Sequence, residues 1–201
     1  MSGRKRIDLE MQGTKGNRQR IWEALRARRD SFTAIQVACS AQVNEDTTRS
    51  YLNALMRGGW IEVSVGSEPF EEQILRLVRD TGAEAPAVTR AGTASTAGLG
   101  NEAMWRTLRI LGEMNAAELA GHASASVTVT LWSARSYLKW LKRAGYVQVV
   151  QVGKPGRPER YRLTPGRYTG PRPPMIQRIG QVYDPNLGEV VYRAKPEEEL
   201  A

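Results

Sequence analysis

A mainly α chain with small β-hairpins, of the α+β class and built as two copies of one plan in tandem, is predicted by three features of these 201 residues. First, Leu131, Ala134, Leu138 and Leu141 recur at spacings of three and four, which gathers them on one helix face. Second, that helix stops at Gly145, and a β-branched run beginning at Tyr146 follows. A turn-forming loop at 153–158 then leads to a second short strand at 161–163. Third, TRSYLNALMRGGWIEV at 48–63 matches ARSYLKWLKRAGYVQV at 134–149. Arg49 pairs with Arg135, and Gly59 with Gly145, at a common offset of 86 positions. Trp22 matches Trp105 upstream, and Thr81-Gly82 matches Thr169-Gly170 downstream. Shared order over this length marks an internal duplication.

Each element has a local reason. Residues 1–17 are predicted to form a disordered basic arm. Its Arg4, Lys5 and Arg6 suit a solvated tail, with entry into a minor groove as the alternative. The first copy, 18–86, opens with a helix over 18–29 in which Ile21, Trp22, Leu25 and Ala27 offer apolar contacts. Thr33 opens a second helix at 34–40. Asn44 caps a third, which runs through Tyr51, Leu52, Leu55 and Met56 to Gly58-Gly59. Strands at 60–65 and 73–78 enclose a turn at 66–69. Residues 87–100, AVTRAGTASTAGLG, have the small, polar composition of a flexible linker. The second copy, 101–174, repeats the order: a helix holding Trp105, Leu108, Ile110 and Leu111, then a helix at 116–122 capped by Asn115. A turn about four residues longer than in the first copy leads to the helix at 131 and the strand pair. The prolines of 169–175 favour an extended segment. Residues 175–201 are predicted to be a small hairpin, turning at 184–188, and an acidic tail from 196.

Charge is concentrated rather than spread. The chain carries +8 overall with a pI near 9.9, which favours a polyanionic partner. Residues 131–172 hold ten basic side chains against one acid, Glu159. Solvated charged faces usually mix signs, so this block points to nucleic-acid phosphate. Trp132, Arg135, Ser136, Lys139 and Arg143 share the helix face opposite the apolar one. Lys154 and Arg157 occupy the loop, and Arg160 follows it. A cationic helix leading at once into a two-stranded ribbon with a basic tip is the plan of a winged helix. The helix would enter the major groove and the wing would lie along the neighbouring backbone. The first copy is charged differently, with five basic against eight acidic residues over 31–100. Glu45 and Asp46 begin its third helix, and Glu68, Glu71 and Glu72 surround its wing.

The run FTAIQVACSAQVNEDTTRSYLNALMRGGWI at 32–61 resembles the helix-turn-helix of winged-helix transcriptional regulators of the MarR and related bacterial types. Ala38 stands where that family keeps a small residue at the helix crossing, and Val43 where it keeps an apolar turn residue. LKRAGYV at 141–147 resembles the family's run into the wing. The resemblance covers most of 18–80 and 102–166. It implies two winged-helix domains in tandem, with double-stranded DNA contacted by exposed early positions of each third helix. Those positions are Trp132, Ser133, Arg135, Ser136 and Lys139 in the second copy, and Thr47, Arg49, Ser50 and Asn53 in the first.

Other classes lack their residues. A single cysteine, Cys39, precludes an internal disulfide, and with His122 as the only histidine no cysteine–histidine zinc site can be built. His122 also has no companions for a catalytic constellation, and no phosphate-cradling glycine loop with a lysine occurs. No apolar run approaches the ~20 residues of a membrane span, and the basic start lacks the apolar core of a signal peptide. The expectation is a non-enzymatic, cofactor-free, cytoplasmic protein, nucleoid-associated when bound to DNA, acting as a sequence-specific transcriptional regulator with the second copy as main reader. The alternative is a protein-interaction or accessory factor for replication, partition or transposition, with the first copy docking a protein partner.

Overall fold

The computed structural model describes residues 11, 15–66, 73–177 and 180–194. Predictions for Arg4, Lys5 and Arg6, for Glu68, Glu71 and Glu72, and for the acidic tail lie outside the described residues. The chain divides into two compact units, one of them Lys15–Thr96 and the other containing Ala97–Ala201. Among the described residues there are six helices and three small antiparallel sheets, a mixed α and β content.

In the first unit, helix α1 (Asn17–Arg26), helix α2 (Ala34–Ala41) and helix α3 (Glu45–Arg57) precede strands β1 (Ile61–Val65) and β2 (Ile74–Leu77). Helix α2 starts at Thr33, whose side chain accepts from the Gln36 N–H while the Gln36 side chain reaches back to the Thr33 N–H. This reciprocal cap satisfies two donors that the helix leaves free. Asn44 caps α3 by accepting from the N–H groups of Asp46 and Thr47. Ile21, Trp22, Leu25, Val37, Leu55 and Ile61 are buried together in one core.

The second unit repeats this order. Helix α4 (Leu99–Leu111), strand β3 (Met114–Asn115), helix α5 (Ala116–Ala123) and helix α6 (Leu131–Arg143) lead to β4 (Val147–Gln151) and β5 (Arg160–Leu163). Asn115 and Glu118 form the same reciprocal cap on α5. The longer turn before α6 is closed by Ser124, whose hydroxyl accepts from the Val129 N–H and donates to its carbonyl. Thr130 then caps α6 through the Ser133 N–H.

Three details show how deep the duplication runs. Gly59 (φ 74°) and Gly145 (φ 76°) both end the third helix in the left-handed region. In each, the next residue's N–H returns to a carbonyl five back: Trp60 to Leu55 at 3.0 Å, Tyr146 to Leu141 at 2.9 Å. Both hairpins break register at equivalent places, between Val63 and Val65 in the first and between Val149 and Gln151 in the second. Finally, the indole N–H of Trp22 donates to the Gly82 carbonyl at 2.9 Å, and that of Trp105 to the Gly170 carbonyl at 3.0 Å. The matched Trp and Thr-Gly pairs are therefore two ends of one hydrogen bond that ties the first helix to the chain leaving the ribbon.

Two expectations are corrected. Residues 87–96 are part of the first unit rather than a free linker. Val88 is buried in its core and bridges to Ala94, the Tyr51 hydroxyl donates to the Pro86 carbonyl, and Arg57 donates to that of Arg90. Small residues allow this: a Cβ on Gly92 would lie 2.4 Å from the Gly58 nitrogen. Composition alone reads such residues as loose, whereas here they permit close approach to α3. The 99–100 end of the predicted linker already belongs to α4.

The C-terminal hairpin is also more than an appendage. Strands β6 (Met175–Gln177), β7 (Gln181–Asp184) and β8 (Glu189–Arg193) form a three-stranded sheet in the order β6-β7-β8. Val182 is fully buried in the second unit's core, and the Tyr192 ring meets Trp140 of α6 edge-on at 6.1 Å. Asp184, fully buried, accepts from the hydroxyls of Tyr146 and Thr169 and from the Asn186 N–H. The boundary expected at 174–175 thus falls inside one core.

Candidate nucleic-acid interface

Helix α6 buries Ala134, Tyr137, Leu138 and Leu141. A helical repeat of 3.6 residues places Trp132, Arg135, Ser136, Lys139 and Arg143 within roughly a 100° arc on the opposite side. Trp132, Arg135 and Lys139 are exposed, while Ser136 and Arg143 are half-buried. Ser133 is drawn into the cap, with its hydroxyl 2.9 Å from that of Thr130. The Arg143 guanidinium lies over the Trp140 ring, 5.3 Å from its centroid.

At the far end of the ribbon, Lys154-Pro155-Gly156-Arg157 forms a tight turn closed by two backbone hydrogen bonds of 2.8 Å between Lys154 and Arg157. Proline at the second position and glycine at φ 75° in the third suit a type II turn. Both cationic side chains are exposed there. Arg135, Lys139, Lys154 and Arg157 make no side-chain ion pair or hydrogen bond among the described residues.

Two other cations of the block are engaged. Arg160 pairs with Glu113 at 2.8 Å and with Glu118 at 3.0 Å. These carboxylates, Glu118 first, raise its already high pKa, and it is fixed as a brace between the ribbon and the start of α5. The N–H of Asn115 and then Arg160 hold the Glu118 carboxyl below its usual range. Lys142 pairs with Glu159 at 3.0 Å, joining the end of α6 to the ribbon. The Tyr161 hydroxyl, then Lys142, hold Glu159 below the usual carboxylate range. Sequence alone groups Arg160 with the free cations because its partners lie 42 and 47 residues away. Glu113 and Glu118, flanking the Asn115 cap, are the residues that sequence reasoning missed.

The equivalent face of the first unit is different in sign. Thr47, Arg49, Ser50 and Asn53 are exposed on α3. Arg49 is held by Glu45 of the preceding turn at 2.7 Å, and the Thr47 N–H is used by the Asn44 cap. Asp46 stands at the position of Trp132, and Asn53 at that of Lys139. Arg49 and Asn53 border a small cleft of about 60 Å³ with Leu52, Met56, Gln73 and Leu75. Among the described residues no cluster of metal-ligating side chains is found, and no helix is long and apolar enough to cross a membrane.

No protein-family model matches the chain, and no curated protein matches it.

Proposed function

We propose that the protein binds duplex DNA through two winged-helix units in tandem and acts as a sequence-specific regulator of transcription in the cytoplasm. The second unit is the main reader. The observation that carries this is that Arg135 and Lys139 on α6 and Lys154 and Arg157 at the ribbon tip are all exposed and unengaged among the described residues. Helix and ribbon tip are the two parts that such a unit applies to groove and backbone. Phosphate contacts at those cations supply affinity, and side chains at the start of α6 read base edges. Selection of bound sequences from a random duplex pool tests the proposal. An enriched motif is the expected result. Salt-sensitive binding without enrichment would leave an architectural DNA binder, and absence of duplex binding would end the DNA reading.

A second role is favoured for the first unit by Glu45 and Asp46 at the start of α3 and by Arg49 being held by Glu45. An acid beside a phosphate opposes binding. The first unit therefore contributes weak DNA contacts or docks a protein partner, as an accessory factor would.

A further inference from the structure

The five tryptophans of the chain have different surroundings. Trp22 and Trp105 are buried and hydrogen-bonded, and Trp60 and Trp140 are half-buried beneath the guanidinium groups of Arg79 and Arg143. Trp132 alone projects into solvent, 77% exposed, the highest value among the exposed large apolar side chains. Its repeat equivalent is Asp46, so the plan of the fold does not require an indole there. Residue 132 supports no core, no cap and no ion pair among the described residues.

Its neighbours indicate what covers it. Arg135, Ser136 and Lys139 follow at three, four and seven positions, on the same side of α6. A protein partner with an apolar pocket would have to bury Arg135 and Lys139 beside the indole, at a large desolvation cost. A DNA major groove accepts both kinds of group at once. It offers phosphates at its walls and, on its floor, one apolar group, the pyrimidine 5-methyl. From Trp132 to Lys139 the helix rises about 10 Å, comparable with a groove about 12 Å wide. The N-terminal turn is the part of such a helix that reaches base edges.

We infer that Trp132 is a specificity residue that packs its indole on a pyrimidine 5-methyl group, of thymine or of 5-methylcytosine, in the major groove. The inference rests on the DNA reading above and adds what that reading leaves open, the chemical group recognised. Arg135 and Lys139, further along the same side of α6, hold the helix against the backbone beside the contact.

The test uses the full-length protein and its W132A variant, with the duplex enriched by selection as probe. Each thymine is replaced in turn by uracil, which removes only the methyl, and each cytosine by 5-methylcytosine, which adds one. At one position, or two adjacent ones, uracil should weaken the wild type about fourfold, the worth of one buried methyl-sized group. The same change should leave W132A unaffected. If the source is 5-methylcytosine, methylation should instead tighten the wild type by a similar factor and again leave W132A unaffected. The variant should melt at the wild-type temperature, because the side chain is exposed. Wild type and W132A responding alike to every replacement would overturn the inference while leaving duplex binding intact. Binding without an enriched motif would overturn it too, since a methyl reader enriches pyrimidines. Failure to bind any duplex would instead remove the DNA reading on which it stands.

Discussion

Alanine at both Lys154 and Arg157 should halve the salt dependence of duplex binding. On the outer face of α6 and at the ribbon tip, four cations are exposed and unengaged among the described residues: Arg135, Lys139, Lys154 and Arg157. If each displaces the counterions of one phosphate, log K should fall against log salt with a slope of about −3.6. Raising salt from about 50 to about 200 mM would then weaken the wild type roughly 150-fold. Without the two ribbon-tip cations the slope should be about −1.8, and the same change in salt should cost roughly 12-fold. Arg160→Ala is the discriminating control. That guanidinium already has Glu113 and Glu118 as partners, so the variant should keep the wild-type slope while melting at a lower temperature. Anisotropy titrations of one labelled duplex at several salt concentrations measure all three slopes. A wild-type affinity indifferent to salt, or an Arg160→Ala slope as much reduced as the ribbon-tip variant's, would refute the assignment of free and engaged cations.

Three further outcomes are expected. Separated units comprising residues 15–96 and 97–201 should differ, the second retaining measurable duplex binding and the first little; equal affinities would show that Glu45 and Asp46 do not disfavour phosphate, and ending the first unit at 86 should destabilise it by removing Val88 from its core. Asp184→Ala should lower stability by about 2–4 kcal/mol, because it strands the hydroxyls of Tyr146 and Thr169, and a thermal melt within a degree or so of wild type would contradict this. Burial pushes the hydroxyls of Tyr51, Tyr137 and Tyr146 well above the usual tyrosine value, with Asp184 adding to the effect at Tyr146. A raised folded pKa stabilises below the unfolded value near 10 and loses that contribution as pH rises further, so tyrosinate absorbance from these groups should appear together with loss of helical circular dichroism. Their titration in a chain that remains folded would show the rings to be accessible.

Much of this protein is written locally. Capping is a matter of residues three apart, so Thr33, Asn44 and Asn115 mark helix starts in the sequence, and each accepts the hydrogen bonds of a cap. Gly59 and Gly145 mark the helix ends for an equally local reason, the left-handed backbone that a side chain strains. The face opposite the core is legible on α6, because helical periodicity fixes which side chains share a side. Strand β3 is not legible: two residues, Met114 and Asn115, have no periodicity, and their pairing with Tyr161 and Arg160 is a contact across the chain.

Only tertiary structure decided which charges are free. The ten basic residues of 131–172 look alike in sequence, yet the approach of β5 to the start of α5 binds Arg160 to two carboxylates, and the end of α6 meets Glu159 at Lys142. It also decided the fate of residues 87–96 and of the C-terminal strands, since Val88 and Val182 gain a core only when distant helices are in place. The duplication was determined by sequence alone; the reason its outlying matches, Trp22 with Thr81-Gly82 and Trp105 with Thr169-Gly170, share one pattern was not. Each is a hydrogen bond spanning 60 residues or more, and a bond of that kind exists only once the intervening chain has folded.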